Sequence, residues 1–395
     1  MKRSYFVHPH PTHHVGCMIV LNLTWCQGGA IPQPPTIYML NLLTIDIEDY
    51  FQVYALSKVI QYADWGNYQC RIERNTDRLL EILDHSIQHP TLNTHHSEFK
   101  PPTSALTPPT AIHATFFVLG WIAEHYPGLI RRIKEAGHEI ACHGYAHQLV
   151  YSQSRDEFRE DIRRSKAILE NIIGSEVIGY RAPSYSITDQ SLWAFETLVE
   201  EGFNYDSSIF PIRHDFYGMP NAPRFPFIIS LNGNNNVKFS MLNIENFASK
   251  RSDPQTSNTL IEFPISTVKL FGQNFPISGG GYFRLFPYSI VKRALTGINE
   301  KEQKPFIFYI HPWEIDFEQP RIPGLKLKSR LRHYINLDKT ENKLKILLGD
   351  FQFSTIRQFL IQNSTCLTQA TQVTQVTQVT QVTQVTGVTH VDRKK

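Results

Sequence analysis

Glu139-Ile140-Ala141-Cys142-His143-Gly144-Tyr145-Ala146-His147 is a short apolar run that ends in two histidines four residues apart. Read as a strand, it places His143 at its carboxyl end and His147 one turn further on. Side chains at i and i+4 share a face when the turn is helical. Neutral imidazoles are common ligands for zinc and similar divalent metals. With 17 histidines in the chain, a pair at this spacing also arises by chance, so its meaning depends on what surrounds it.

The surroundings alternate between strands and helices. Upstream, Ala114–Leu119 is an apolar strand. Pro127 then opens a helix with Leu129, Ile130, Ile133 and Ala136 on one face, and Gly137 suits its C′ position. Further back, Asn75–Leu83 has helical periodicity. Met39–Ile45 reads as a buried strand running into Asp46-Ile47-Glu48-Asp49-Tyr50-Phe51. Three carboxylates after an apolar strand are costly unless solvated, paired or metal-bound.

Downstream, Ser154 and Glu157 form a capping-box pattern for a helix that stops at Gly174. Val177–Tyr180 is a strand delivering Arg181-Ala182-Pro183-Ser184-Tyr185. Thr188 is expected to cap a helix ending at Gly202, and Phe203–Tyr205 delivers Asp206. Residues 213–260 give little pattern. Leu260–Ile265 is strand-like, Gly279-Gly280-Gly281 reads as a flexible stretch, and Pro287–Leu295 reads as a helix. Phe306–Ile310 is a buried strand ending at His311-Pro312-Trp313-Glu314.

Composition bounds the rest. The chain has 395 residues, 41% hydrophobic, enough for a sizeable core, and a net charge of +3 that argues against a nucleic-acid partner. Cysteines 17, 26, 70, 142 and 366 are dispersed without a CxxC, so neither a disulfide framework nor a cysteine metal site is expected. No stretch is apolar enough for a membrane span. Residues 1–36 read as a poorly structured leader with a faint likeness to a signal peptide, 88–110 as an inserted loop, and 365–395, with its Thr-Gln-Val repeats, as a disordered tail. The basic stretch through Lys328, Arg330 and Arg332 reads as a solvated face. The expected location is cytoplasmic or membrane-peripheral, or secreted if the leader is a signal peptide.

Such alternation predicts an α/β parallel sheet or barrel, in which catalytic groups sit at strand carboxyl ends. Five strand ends carry polar groups: Asp46 with Glu48 and Asp49, His143 with His147, Arg181, Asp206, and His311. Two histidines and a carboxylate make an open three-ligand site whose metal lowers the pKa of water and polarises a carbonyl. Asp46 is the expected base, with Arg181 pairing it and Asp206 steadying the arginine. His311, on the opposite side, is the expected acid toward a leaving amine. Tyr50, Tyr145 and Trp313 suit stacking on sugar faces, and suit core packing equally.

These motifs, Thr44-Ile45-Asp46, His143-Gly144-Tyr145-Ala146-His147, Arg181-Ala182-Pro183-Ser184-Tyr185, Asp206 and Ile310-His311, resemble the polysaccharide deacetylases of the NodB homology domain, the family-four carbohydrate esterases. The resemblance covers about 39–315, with inserts at about 88–110 and 232–258. Asp46–Val53, Gly280–Arg284, His311–Asp316 and Arg332–Asn336 resemble the subgroup associated with exosortase and exopolysaccharide gene clusters, whose extra region would account for about 260–360. The resemblance implies a distorted (β/α) barrel with a C-terminal extension. It implies a divalent metal, zinc first with cobalt, nickel or manganese as alternatives, and hydrolysis of non-peptide carbon–nitrogen bonds, releasing N-acetyl groups from an amino-sugar polysaccharide. It also implies that a backbone N–H at Tyr185 stabilises the oxyanion.

One position departs from the family pattern. Where the family carries a second, metal-binding aspartate, this chain has Ile47, which cannot ligate. Glu48 is the preferred substitute, because on an extended strand it faces the same way as Asp46, with Asp49 second. The alternatives are an amidohydrolase acting on peptidoglycan or a small cyclic amide, and a non-catalytic carbohydrate-binding scaffold with a decayed site.

Overall fold

The computed structural model describes residues 39–88, 110–232, 237–242 and 258–363. The leader, most of the 88–110 loop, much of the 232–258 insert and the repeat tail lie outside the described residues. Seven parallel strands form the centre: β1 (Leu40–Ile47), β2 (Thr115–Val118), β3 (Glu139–Cys142), β4 (Gly179–Tyr180), β5 (Tyr205–Asp206), β6 (Thr259–Glu262) and β7 (Ile307–Ile310). Their spatial order is β7-β1-β2-β3-β4-β5-β6.

The sheet curls into a distorted barrel. Arg181, just past β4, reaches Asp46 on β1 although two strands stand between them. Only a curved sheet brings those ends within one side chain's length. Among the described residues, no strand ladder joins β6 to β7. The segment after β6 closes that gap instead: Ile307 N–H donates to Ser266 Oγ at 2.8 Å, Ser278 Oγ donates to the Ser266 carbonyl at 2.6 Å, and Tyr309 N–H donates to the Ser278 carbonyl at 3.0 Å.

Strand periodicity sorts the side chains. Successive residues point to opposite faces. On β1, Leu43, Ile45 and Ile47 join the core between sheet and helices, while Leu42 packs in the barrel interior with Phe117, Ala141, Tyr205, Ile307 and Tyr309. Thr44, Asp46 and Glu48 share the parity of Leu42. Ile47 therefore packs against the helices, away from the cavity where a ligand would be needed.

The helices that cover the barrel are those the caps predict, with exceptions. Ser154 and Glu157 form a reciprocal capping box for helix Arg155–Ile173, which ends at Gly174 with φ 63°. Helix Pro127–Glu135 has proline in its first turn. Thr188 does not cap the next helix. It closes a turn with Ser191, and the helix itself runs Trp193–Glu200. The unreadable stretch 213–260 supplies strands Phe227–Leu231 and Val237–Met241, antiparallel additions beyond β6.

The glycine triplet is not a flexible stretch. Gly280 begins helix Gly280–Leu285, and Gly279 (φ 141°) lies so close to β7 that an added Cβ would sit 2.1 Å from the Tyr309 carbonyl oxygen. The C-terminal region continues with helices Leu327–Tyr334 and Leu337–Asp350 and with strand Gln352–Ser354, which pairs with the start of β1. Among the described residues, no helix is long and apolar enough to cross a membrane.

Candidate active site

The carboxyl ends of β1, β3, β4 and β7 converge on one buried cup. At its base, Arg181 is fully buried and satisfied on every side. Its Nη1 donates to Asp46 Oδ1 at 2.5 Å and to Thr44 Oγ1 at 2.9 Å, its Nε to the Ser207 carbonyl at 3.0 Å, and its Nη2 to Ser207 Oγ at 2.8 Å. Thr44 Oγ1 donates in turn to the Phe308 carbonyl. The pairing of Asp46 with Arg181 expected from sequence is present. Asp206 does not steady the arginine. Its Oδ1 accepts from Ser208 Oγ at 2.6 Å, and burial pushes it up to about 6 beside the Glu262 carboxyl, itself pushed well above the carboxylate range. The next residue, Ser207, holds Arg181, because the backbone turning out of β5 aims that side chain inward.

Glu48, His143 and His147 are buried, with one ligand atom of each within 4.8 Å of the others. The loop carrying the histidines is fixed by Asp161, whose Oδ2 accepts the Tyr145 N–H at 2.9 Å and fills the space a Cβ on Gly144 (φ 72°) would need. His143 Nδ1 lies 2.8 Å from the Arg181 carbonyl, which only accepts. Nδ1 is therefore the protonated nitrogen, and the Nε2 lone pair is free. Burial holds the His143 pKa down to about 4, so the ring is neutral, as a ligand must be.

His147 Nε2 and Glu48 Oε2 stand 2.8 Å apart, yet Oε2 lacks a hydrogen bond among the described residues. Burial raises the Glu48 pKa, but His147 and His311 outweigh it and hold the group at about 2. A buried anion with an unsatisfied oxygen, facing two imidazoles, fits a divalent metal.

Asp49 is not part of this cluster. Its carboxylate accepts the backbone N–H of Tyr50 at 2.8 Å and that of Arg71, closing the loop after β1. The tight turn in which Glu48 N–H donates to the Asp46 carbonyl sends successive side chains apart.

His311 lies beside Asp46 rather than opposite it, because β7 is the immediate neighbour of β1, with Ile310 paired to Ile45. Its Nε2 is 3.2 Å from Glu48 Oε1 and 3.8 Å from Asp46 Oδ2. Its Nδ1 donates to Glu314 Oε2 at 3.2 Å. Burial alone would lower its pKa, but the carboxylates of Glu48, Glu314 and Asp46 raise it to about 9.

Glu314 is held by Arg284, whose Nε donates to Oε1 at 2.8 Å while its Nη atoms donate to the carbonyls of Arg332, His333 and Ile335. The sequence motifs assign neither residue a role, although the stretches His311–Asp316 and Gly280–Arg284 contain them. The signal was the i,i+3 spacing of His311 and Glu314, which lets one carboxylate oxygen accept both the backbone N–H and the ring N–H of His311.

The three proposed sugar-stacking residues are buried. Tyr50 packs edge-on against Phe51 in the core. Tyr145 turns outward between two helices, where Arg164 lies over its ring and Glu124 accepts its hydroxyl proton. Trp313 stacks on His311 and His333, and its Nε1 donates to Glu48 Oε1 at 3.4 Å, so it orients the cluster from behind. The Tyr185 N–H donates to the Ala182 carbonyl at 3.0 Å and is not an open oxyanion donor in this conformation. Ser184 (φ 53°) and Tyr185 (φ 54°) hold left-handed backbone, strained for non-glycine residues.

Comparison with known proteins matches residues 104–199 to the polysaccharide deacetylase family model, and 235–361 to a domain of unknown function, DUF3473. The peptidoglycan-N-acetylglucosamine deacetylase of Bacillus cereus is 36% identical over 86 residues, 22% of this chain and 31% of that protein. The peptidoglycan deacetylase of Helicobacter pylori is 28% identical over 103 residues, 26% of this chain and 33% of that protein. The chain thus spans about a third of the length of these curated relatives. Among solved structures, a putative polysaccharide deacetylase from Mycobacterium smegmatis aligns over 84% of this chain and 94% of its own, at 19% identity and a TM-score of 0.47. The stretch matched to the polysaccharide deacetylase model, residues 104–199, contains both histidines of the cluster and Arg181.

Proposed function

We propose that this chain is a metal-dependent deacetylase that hydrolyses the N-acetyl groups of an amino-sugar polysaccharide. The observation that carries this reading is the meeting, in one cup, of a salt-bridged carboxylate, a three-donor cluster and a carboxylate-held histidine. Glu48, His143 and His147 would hold a divalent cation, zinc by the donor set, which when bound would supply Lewis-acid charge to polarise an amide carbonyl and ease deprotonation of water.

Asp46, pinned by Arg181, takes the proton of the attacking water. Arg181 keeps that carboxylate aimed, through the bond from its Nη1 to Oδ1. As the carbon–nitrogen bond breaks, His311 Nε2 passes a proton to the departing amine. The products are acetate and a free amino sugar. Glu314 holds the other imidazole nitrogen, so the ring keeps Nε2 toward the cup throughout.

The polymer has two readings. The motifs that resemble the exopolysaccharide-associated subgroup favour an exopolysaccharide. The names of the relatives favour peptidoglycan. Acetate release from chitin oligomers, an acetylated exopolysaccharide and intact peptidoglycan, measured for wild type and Asp46→Asn, tests the reaction and ranks the polymers. Release by the wild type that is lost in Asp46→Asn is expected. Release unchanged in the variant overturns the mechanism.

A further inference from the structure

Helix Leu327–Tyr334 carries its apolar residues on the wrong side for a core helix. Leu327 is 81% exposed and Leu331, one turn on, is 62% exposed. Between and beside them stand Lys326, Lys328, Arg330 and Arg332, all exposed. Lys328 faces Asp215 at 3.6 Å with both side chains in water, a pairing worth little. Lys326, Arg330 and Arg332 have no ion-pair partner among the described residues. Charges alone describe a solvated face, but leucines interleaved with them do not.

The helix is anchored elsewhere. The carbonyls of Arg332 and His333 accept from Arg284, and His333 is buried. Its leucines are thus free of any packing duty among the described residues. A second exposed apolar element lies nearby. Hairpin Thr267–Leu270/Gln273–Pro276 presents Phe271 fully to solvent at its tip, with Leu270 half exposed beside it. That hairpin is tied to Pro211 by Asn274 Nδ2 at 2.8 Å, and the basic helix touches Asp215 in the same segment. Pro211 and Asp215 are four residues apart, so their Cα atoms are separated by at most about 14 Å. Phe216, next in that segment, is also exposed.

We infer that this surface docks on an anionic phospholipid bilayer. Alternating cations and protruding leucines match a layer with phosphate charge outside and hydrocarbon just beneath. An anionic polysaccharide would use the cations and leave the leucines in water. A second copy of the chain would set four cations against four. Docking would hold the cup close to a membrane, because the carbonyls that anchor this helix also hold Arg284 and, through Glu314, His311. The inference does not depend on the reaction proposed above, since its test reads binding alone.

The full chain is sedimented with vesicles of phosphatidylcholine, with and without phosphatidylserine. The expected result is binding to the anionic vesicles only, weakened by salt. Leu327→Gln with Leu331→Gln should lower it at least about tenfold. Lys328→Gln and Arg330→Gln should each lower it about fivefold. All four residues are exposed, so folding is spared, and circular dichroism verifies that. The inference is overturned by absence of binding, by equal binding to neutral vesicles, or by binding that survives loss of both leucines. It is also overturned by a dimer that the double leucine variant dissociates, or by dextran sulfate binding tighter than vesicles and indifferent to the leucines.

Discussion

His311 Nδ1 and Glu314 Oε2 meet at 3.2 Å, three residues apart on one turn, with Arg284 holding the far oxygen of the glutamate. This pair fixes which nitrogen of His311 faces Asp46 and Glu48. In Glu314→Gln the acceptor loses its charge, so the imidazolium is less well stabilised and the ring less firmly held. The expected result is a kcat about 10- to 100-fold lower, with metal content unchanged and KM nearly so. Steady-state kinetics on acetylated glucosamine oligomers, with metal analysis, checks it. An unchanged kcat would remove Glu314 from the mechanism.

Neighbouring carboxylates should separate by phenotype. Glu48→Gln and His147→Ala should lose metal, because each removes a donor of the buried cluster. Asp49→Asn should keep metal and instead lose roughly 1–3 kcal/mol of stability, since its carboxylate serves the backbone N–H groups of Tyr50 and Arg71. Plasma emission analysis and urea unfolding of the three variants distinguish the outcomes. Metal loss in Asp49→Asn with retention in Glu48→Gln would reverse the assignment.

Ser207 offers a test of how Arg181 is held. Its Oγ accepts from Nη2 and donates to the Phe263 carbonyl at 2.7 Å. Ser207→Ala leaves a buried guanidinium donor unpaired, at a cost of roughly 1.5–3 kcal/mol. Turnover should fall as well, because the arginine aims Asp46. Ser208→Ala removes a hydroxyl that donates to Asp206 and accepts the Ala182 N–H at 2.8 Å but touches no guanidinium atom of Arg181, so it should spare kcat by comparison. Equal losses in the two variants would mean that Arg181 is held by its surroundings in general.

Acid stability should depend on His138. Its Nδ1 accepts the Ala114 N–H at 3.2 Å, and burial, aided by His113, holds its pKa down to about 3 against an ordinary 6.5. A group depressed on folding leaves the unfolded chain binding more protons below 6.5. Stability is therefore intact above that pH and falls as pH drops toward 3, by about 1.4 kcal/mol per pH unit from this residue. His138→Asn keeps an acceptor and removes the titration, so its stability should decline less steeply over that window. Urea midpoints measured at a series of pH values test it, and parallel curves for the two proteins would rule the residue out.

The β–α order, the capping box at Ser154, the stop at Gly174 and the five polar strand ends were legible in the sequence, because each depends on chemistry within a few residues. The family resemblance drew on the same local motifs. Tertiary structure decided what lay between strands. Glu48 reaches the histidines while Asp49 turns to the backbone, and Ser207 replaces Asp206 behind Arg181. Tyr145 leaves the cup for Arg164, and Arg284 arrives from a helix 30 residues before Glu314 to brace His311. Sequence spacing states which way a side chain leaves its own strand. Which charges share a cavity, and which of them stay unpaired, follows only once the barrel has closed and removed the water.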